Sequence, residues 1–454
     1  MRVKRIALTG ALVAAAVMTA PAGAAACAPA PAVPGAEVQR NSCVADLSSA
    51  ALTPAGLSVA ADWTGLSSAA TARGPAGPGL QIDGYFPDTS TTNTNNGWNH
   101  DAQFVIRLPN NWNGGLVVSG APGVRRQYAN DVTISDWVVA RGYAFASTDK
   151  GNTGADFFRD GVLPGDAILE WHQRVTQLAL AARAVVTRRY GRLPRRTYMA
   201  GQSNGGYLVR WQLEHHPELY NGGVDWEGTL FTADGPNLFT YLPTALAAYP
   251  RYVAGDESAH QQMLAAGFAP GSEFLWDFHD KVYWDLTQRI YREELDPTYD
   301  GALEAGTPFC TPGSAPGCDA DYNYAARPPS VHQAVARVSL TGRIGKPMIT
   351  LHGTLDTLLP ITTDSDVYDA MIRRAGRQSL HAYYTVAEGT HVDALYDTYP
   401  DRLRPILPCF RSAFVALERW VDQGKRPPER AVVERPAQGD VVNQCELPGE
   451  GQTR

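Results

Sequence analysis

Residues 197–210 read TYMAGQSNGGYLVR, and the change of pattern at the centre of this stretch decides the fold. Thr197 to Gln202 is a short, mostly apolar run of the kind that forms a buried strand. Gly205 to His216 carries apolar residues at helical spacing, so the chain passes from strand to helix within a residue or two of Ser203. Gly201, Ser203 and Gly205 make a G-x-S-x-G at that junction. A turn this tight strains the backbone of its central residue and leaves no room for side chains two residues to either side, which glycine satisfies. A bare G-x-S-x-G also arises by chance in glycine-rich chains as an ordinary turn. The correct flanking elements are what give the motif meaning, and they make Ser203 a candidate nucleophile.

The same alternation extends outward. Gln103 to Leu108, Leu116 to Ser119 and Tyr143 to Ser147 read as strands, with Val132 to Ala140 as a helix between the last two, and Ile168 to Tyr190 as a helix stopped by Gly191. After the nucleophile turn, Gly222 to Trp226 reads as a further strand. Pro347 to His352, Ile361 to Arg374, His381 to Val386 and Leu403 to Val421 then read as strand, helix, strand, helix. Strands alternating with helices predict an α/β protein with a mostly parallel, doubly wound sheet covered on both faces. The expected organisation is an α/β core over 79–227 and 344–430, preceded by an extended segment at 27–78 and followed by a tail at 431–454. Between the two core blocks the alternation stops. Residues 228–343 are rich in aromatics, with one helical stretch near Glu273 to Glu294, and read as an inserted lid above the strand ends where ligands bind in such sheets. At least half of those aromatics are expected simply to form the lid's own core.

A serine hydroxyl needs a base to remove its proton, and the base needs an acid to hold its tautomer. Where the strand–serine–helix turn is that of the α/β-hydrolase fold, the partners follow in the order Ser, Asp or Glu, His, each on a loop after a late strand. Asp356 lies in LHGTLDTLLP at 351–360 and His391 in AEGTH at 387–391, each just beyond a predicted strand. His352 and His381 sit at strand ends and His172, His215 and His216 on helices, so each is better explained as structural. Asp225 and Asp234, at and after the Gly222 to Trp226 strand, are the alternative acids, and Asp393 is too near His391 to be a first choice. Two backbone donors must meet the developing oxyanion. Asn204 N–H, directly after the nucleophile, is one. The other is expected from SGAPG at 119–123, where Pro122 has no N–H, leaving Ala121 or Gly123; Ala121 is the first choice.

With these residues in hand the chain resembles the tannase and feruloyl esterase branch of the α/β hydrolases. The resemblance rests on GYAFASTDKGNTG at 142–154, the S-N-G-G of 203–206, the helix ending RRYG at 188–191, HGTLDTLLP at 352–360, and the position of the lid. The S-N-G-G is also similar to that of secreted hydroxybutyrate oligomer hydrolases. The resemblance implies a serine esterase that hydrolyses short aromatic or hydroxyacyl esters through an acyl-enzyme. One departure stands out: the branch carries a cysteine before the nucleophile bonded to another before the histidine, and here those positions are Gln202 and Thr390. Loop fixation must therefore come from hydrogen bonds. The branch also carries a lid calcium site; Asp319, Asp321 and Asn323 offer alternating oxygens but lack the further carboxylate of a complete site, so a polar turn, no metal and no cofactor are expected.

The first residues read as an export signal, with Arg2, Lys4 and Arg5 before the apolar run Ile6 to Met18 and a cleavage site after Ala24 or Ala26, which predicts a secreted, extracellular protein. The six cysteines fall into local pairs, Cys27 with Cys43, Cys310 with Cys318 and Cys409 with Cys445, as disulfides of an exported chain. A lipid on Cys27 is the alternative to its disulfide. A formal charge of −7 without a long basic run argues against nucleic acid or an anionic membrane as partner, leaving a small-molecule or oligomeric ester. Two other functions are compatible with the same motifs: a serine peptidase of this fold, for which no charged clamp for a peptide terminus is evident, and an inactive binding protein, against which the intact spacing of the three residues argues.

Overall fold

The computed structural model describes residues 30–299 and 319–449. The export signal, Cys27, Cys310 and Cys318 lie outside the described residues. The chain builds a ten-stranded sheet in the order β1-β2-β3-β5-β4-β6-β7-β8-β9-β10. Its strands are β1 (Val38–Val44), β2 (Gly79–Tyr85), β3 (Gln103–Pro109), β4 (Gly115–Gly120), β5 (Ala144–Thr148), β6 (Arg196–Gln202), β7 (Gly222–Trp226), β8 (Met348–Gly353), β9 (His381–Val386) and β10 (Arg430–Val433). β1, β2, β3 and β5 pair antiparallel in turn, and every pairing from β5 through β4 to β10 is parallel. This is the expected α/β-hydrolase architecture.

The parallel strands β4 to β9 are buried on both faces, and successive residues divide between two cores as the pleat dictates. Leu116 and Val118 of β4, Ala146 of β5 and Met199 of β6 pack with the helices Asp166–Tyr190 and Asn204–His215. Val117, Phe145, Tyr198 and Ala200 pack on the other side with Leu407–Gln423. Under the first core lies a fully buried ionic cluster: the Arg210 guanidinium donates to Asp225 (2.7 Å), Asp364 (2.8 Å) and Ser365 (2.7 Å). Asp225, one of the alternative acids, is thus a structural counter-ion.

Three readings of the sequence are corrected. β1 and β10 extend the sheet into segments expected to lie outside it. β1 (VQRNSCV) is an edge strand with mostly half-exposed or exposed side chains, so no apolar alternation announces it. The insertion is also more helical than expected, with Leu238–Val253, Glu257–Ala265, Glu273–His279, Asp285–Leu295 and Pro329–Val338. The first of these carries Pro243 and Pro250 inside it, residues that read as breakers, while the Asn237–Thr240 capping box starts it. Trp276, Trp284, Tyr291, Tyr299, Tyr322 and Tyr324 of the insertion are buried in one hydrophobic cluster with the first core. Cys409 and Cys445 are bonded, tying the last long helix to the C-terminal segment, and Cys43 is also disulfide-bonded. Among the described residues no helix is long and apolar enough to cross a membrane.

Candidate active site

At the end of β6 the chain turns so sharply that Ser203 adopts φ 57°, ψ −123°, a left-handed backbone unusual for a residue with a side chain. Two close approaches fix the turn. A Cβ on Gly201 would lie 2.2 Å from the Gly205 carbonyl oxygen, and one on Gly205 would lie 2.6 Å from that of Gly120. The strain lifts Ser203 Oγ off the sheet toward His391, whose Nε2 it reaches at 3.0 Å. On the other side of the ring, His391 Nδ1 stands 2.8 Å from Asp356 Oδ2. A carboxylate only accepts, so Nδ1 carries the proton and Nε2 is left to accept from the serine hydroxyl.

Asp356 is held by its own loop, where Oδ1 accepts the N–H groups of Leu358 (2.8 Å) and Leu359 (2.9 Å). Burial alone would raise its pKa, but the charge of His391 and the hydrogen bonds of His352 and His391 outweigh it and hold this carboxyl well below the usual range. Burial depresses His391; the adjacent Asp356 charge and hydrogen bond override that and raise it. Residues of the insertion brace the acid loop. Trp284 Nε1 donates to the Thr357 carbonyl at 2.7 Å, and Thr357 Oγ1 meets His279 Nδ1 at 2.8 Å.

One functional side chain escaped the sequence reading. Glu227, directly after β7, is fully buried with φ 50°, accepts the Gly353 N–H at 2.7 Å and brings Oε2 within 3.7 Å of His391 Nδ1. Burial, and then the charge of Asp356, push its pKa up to about 8, so at neutral pH it is mostly a neutral acid beside an ionised one. Glu227 lies one residue beyond Trp226, the last paired residue of β7, whereas the alternative acids that the sequence offers near that strand are Asp225 and Asp234. His352, set aside as structural, joins the same network through Nε2, 3.3 Å from Asp356 Oδ2.

The oxyanion assignment changes in one member. Asn204 opens the nucleophile helix, so its N–H has no intrahelical acceptor. The Ala121 N–H, however, donates to the Thr148 carbonyl at 3.0 Å, because the strand pairing of β4 with β5 runs one residue further than the sequence suggests. The Gly123 N–H has no hydrogen-bond partner among the described residues, and Gly123 lines the cavity beside Ser203 and Asn204. Gly123 is also joined to the turn, its carbonyl accepting from Asn204 Nδ2 at 3.0 Å. Asn204 is in turn held by Thr229 Oγ1 at 3.0 Å and by the lid residue Tyr291.

In place of a disulfide, Gln202 Nε2 donates to the His391 carbonyl at 2.9 Å in a fully buried position, spanning the two loops that carry the nucleophile and the base. The calcium ligands suggested by the resemblance are engaged otherwise: Asp319 is paired with Arg289 (3.0 Å) and Arg292 (2.8 Å), and Asp321 accepts from Tyr299 at 2.6 Å.

Above Ser203 opens a compact cavity of about 220 Å³. Its walls are largely apolar or aromatic, with Leu238, Tyr283, Ile290 and Tyr291 from the insertion and Leu358 and Val392 from the core, and they also carry Arg125, Gln202, Thr229 and Thr287. A hydroxyl, imidazole and carboxylate in this order, with the Asn204 and Gly123 backbones lining the same cavity, can attack a carbonyl carbon.

Residues 89–226 match the family model described as tannase and feruloyl esterase, and residues 295–446 match that of 3HB-oligomer hydrolase. The first match contains Ser203 and the second Asp356 and His391. Among solved structures the chain is similar to feruloyl esterase B from Aspergillus oryzae, at 12% identity and TM-score 0.52 over 87% of this chain and 89% of that one. It is also similar to an esterase from Aspergillus oryzae, at 13% identity and TM-score 0.53 over 87% and 88%. No curated protein matches the sequence.

Proposed function

We propose, from the α/β-hydrolase fold and the matches to two ester hydrolase family models, that this chain is a secreted serine esterase acting through an acyl-enzyme on short aromatic or hydroxyacyl esters. The observation that carries the reading is the hydrogen-bonded chain from Ser203 through His391 to Asp356, built on a strained turn at the mouth of an apolar cavity. Ser203 Oγ attacks the ester carbonyl while His391 Nε2 takes its proton. The tetrahedral oxyanion accepts from the N–H groups of Asn204 and Gly123. It collapses as the imidazolium returns the proton to the leaving alcohol. Water then repeats the sequence on the Ser203 ester, releasing the acid and restoring the serine.

The cavity supports compact acyl or alcohol groups. Tyr283 and Tyr291 offer flat walls with polar edges, which suit a ring or a short hydroxyacid. A lid meant for an oil surface would instead expose a run of aliphatic side chains. The test is a panel of hydroxycinnamate, gallate, terephthalate and hydroxybutyrate esters beside trioctanoin, triolein and peptide amides. kcat/KM for the best short ester is expected to exceed that for the triglycerides by at least about tenfold. A preference for triglycerides rejects the compact-pocket reading, and a preference for amides rejects the esterase.

A further inference from the structure

Arg125 is a cation in the wall of the Ser203 cavity that the proposed chemistry does not use. Its Nη1 donates to the backbone carbonyls of Asp62 and Thr64, both at 2.9 Å. That contact pins the guanidinium to the 62–66 loop and leaves Nε and Nη2, the edge that binds a carboxylate with two parallel hydrogen bonds, without an acceptor among the described residues. The nearby acid does not neutralise it: the Asp62 carboxylate is turned to Asn95 Nδ2 at 2.7 Å. Burial lowers the Arg125 pKa, and the nearby Tyr283 and Asp62 only partly offset it. On the Ser203 side the cavity is lined by apolar and neutral polar side chains, His391 and this one guanidinium, with no Asp or Glu; Arg125 also borders an outer cleft that holds Asp62, Asp156 and Arg126.

We propose that Arg125 is an anion subsite and that the substrates of this site are short esters carrying a free carboxylate. The proposal rests on the esterase reading and narrows its substrate class. Arg125 follows Gly123 by two residues, so their Cα atoms lie within about 7.6 Å, and the guanidinium reaches a carboxylate only a few bonds from the scissile carbonyl. A hydroxyacid oligomer, whose last alcohol unit ends in a carboxylate, and a half-ester of a short dicarboxylic acid both have this form. Cleavage is ordinary hydrolysis: the acyl–oxygen bond breaks, water supplies the hydroxyl and the proton, and the carboxylate held by Arg125 is unchanged.

Two substrate pairs test it, each comparing an acid with its uncharged amide of the same shape: 3-acetoxybutyrate with 3-acetoxybutyramide, where the charge is on the alcohol side, and monoethyl succinate with ethyl succinamate, where it is on the acyl side. The wild type is expected to favour the acid of at least one pair by about tenfold or more in kcat/KM, with the ratio falling as ionic strength rises. In R125Q the ratio for that pair falls to about 1, and R125K, which keeps the charge but not the planar fork, lies between. A wild-type ratio near 1 for both pairs overturns the proposal without recourse to any variant, as does an unchanged ratio in R125Q. Turnover of the neutral amide-bearing esters by the wild type keeps the esterase reading standing whichever way the Arg125 comparison falls.

Discussion

Replacing Asp356 by Asn probes the least ordinary feature of the site, the second carboxyl beside His391. In the wild type Asp356 Oδ2 is 2.8 Å and Glu227 Oε2 3.7 Å from His391 Nδ1. With an effective dielectric near 20, a unit charge at either distance stabilises the imidazolium by roughly 4 to 6 kcal/mol before desolvation is counted, so the two positions are comparable. Glu227 contributes little at neutral pH because burial and the Asp356 charge hold its pKa near 8. Asp356→Asn removes that charge, one of the two causes, and Glu227 then ionises at lower pH and takes over part of the acid's role. Where no second acid is at hand, Asp→Asn in such a site lowers kcat by about 10⁴; here the loss is expected to be about 10² to 10³. The sign of the pH dependence follows. Deprotonation of Glu227 adds the helpful charge, so kcat of the single variant climbs as pH rises through the Glu227 pKa. The double variant D356N/E227Q lacks the climb and falls by the full 10⁴. The assay is kcat on p-nitrophenyl acetate from pH 6 to 9 for both variants. Equal losses in the single and double variants, with no climb, refute the reasoning.

Other expectations follow from the same structure. The acid limb of kcat/KM should lie above 6.5, the ordinary histidine value, because Asp356 raises His391; a pH profile with its acid limb below that value contradicts the assignment of the base. Gln202→Ala leaves the buried His391 carbonyl without its donor and should cost about 1–3 kcal/mol in denaturant unfolding, with a fall in kcat greater than any change in KM. Arg210→Met strands the buried Asp225 and Asp364 carboxylates and should cost about 3–5 kcal/mol, measured by the same unfolding. Gly205→Ala, whose Cβ would meet backbone at 2.6 Å, should destabilise by about 1–3 kcal/mol and lower kcat by displacing Ser203.

The parallel part of the sheet was legible because its strands are short apolar runs separated by helices of clear period, and Ser203 because two glycines bracket it where strand becomes helix. Its partners were legible from order alone, since topology puts the loops after β8 and β9 beside the loop after β6. What escaped was set by contacts no local pattern carries. β1 is polar because it lies at an edge, and β2 buries Gln81 and Asp83 because Arg107 and Tyr128 reach them from elsewhere in the chain. Ala121 was chosen from the missing N–H of Pro122, yet its own N–H belongs to the sheet. Glu227 is an ordinary acid by sequence, and its significance arises only from three loops meeting at His391.

The central claim, that Ser203 is the nucleophile of an acyl-enzyme, is tested most directly by treating the protein with a fluorophosphonate and mapping the adduct by peptide mass. A single adduct is expected on Ser203, none in Ser203→Ala, and much slower labelling in His391→Ala. An adduct on another residue, or Ser203→Ala turning over esters within tenfold of the wild type, contradicts it.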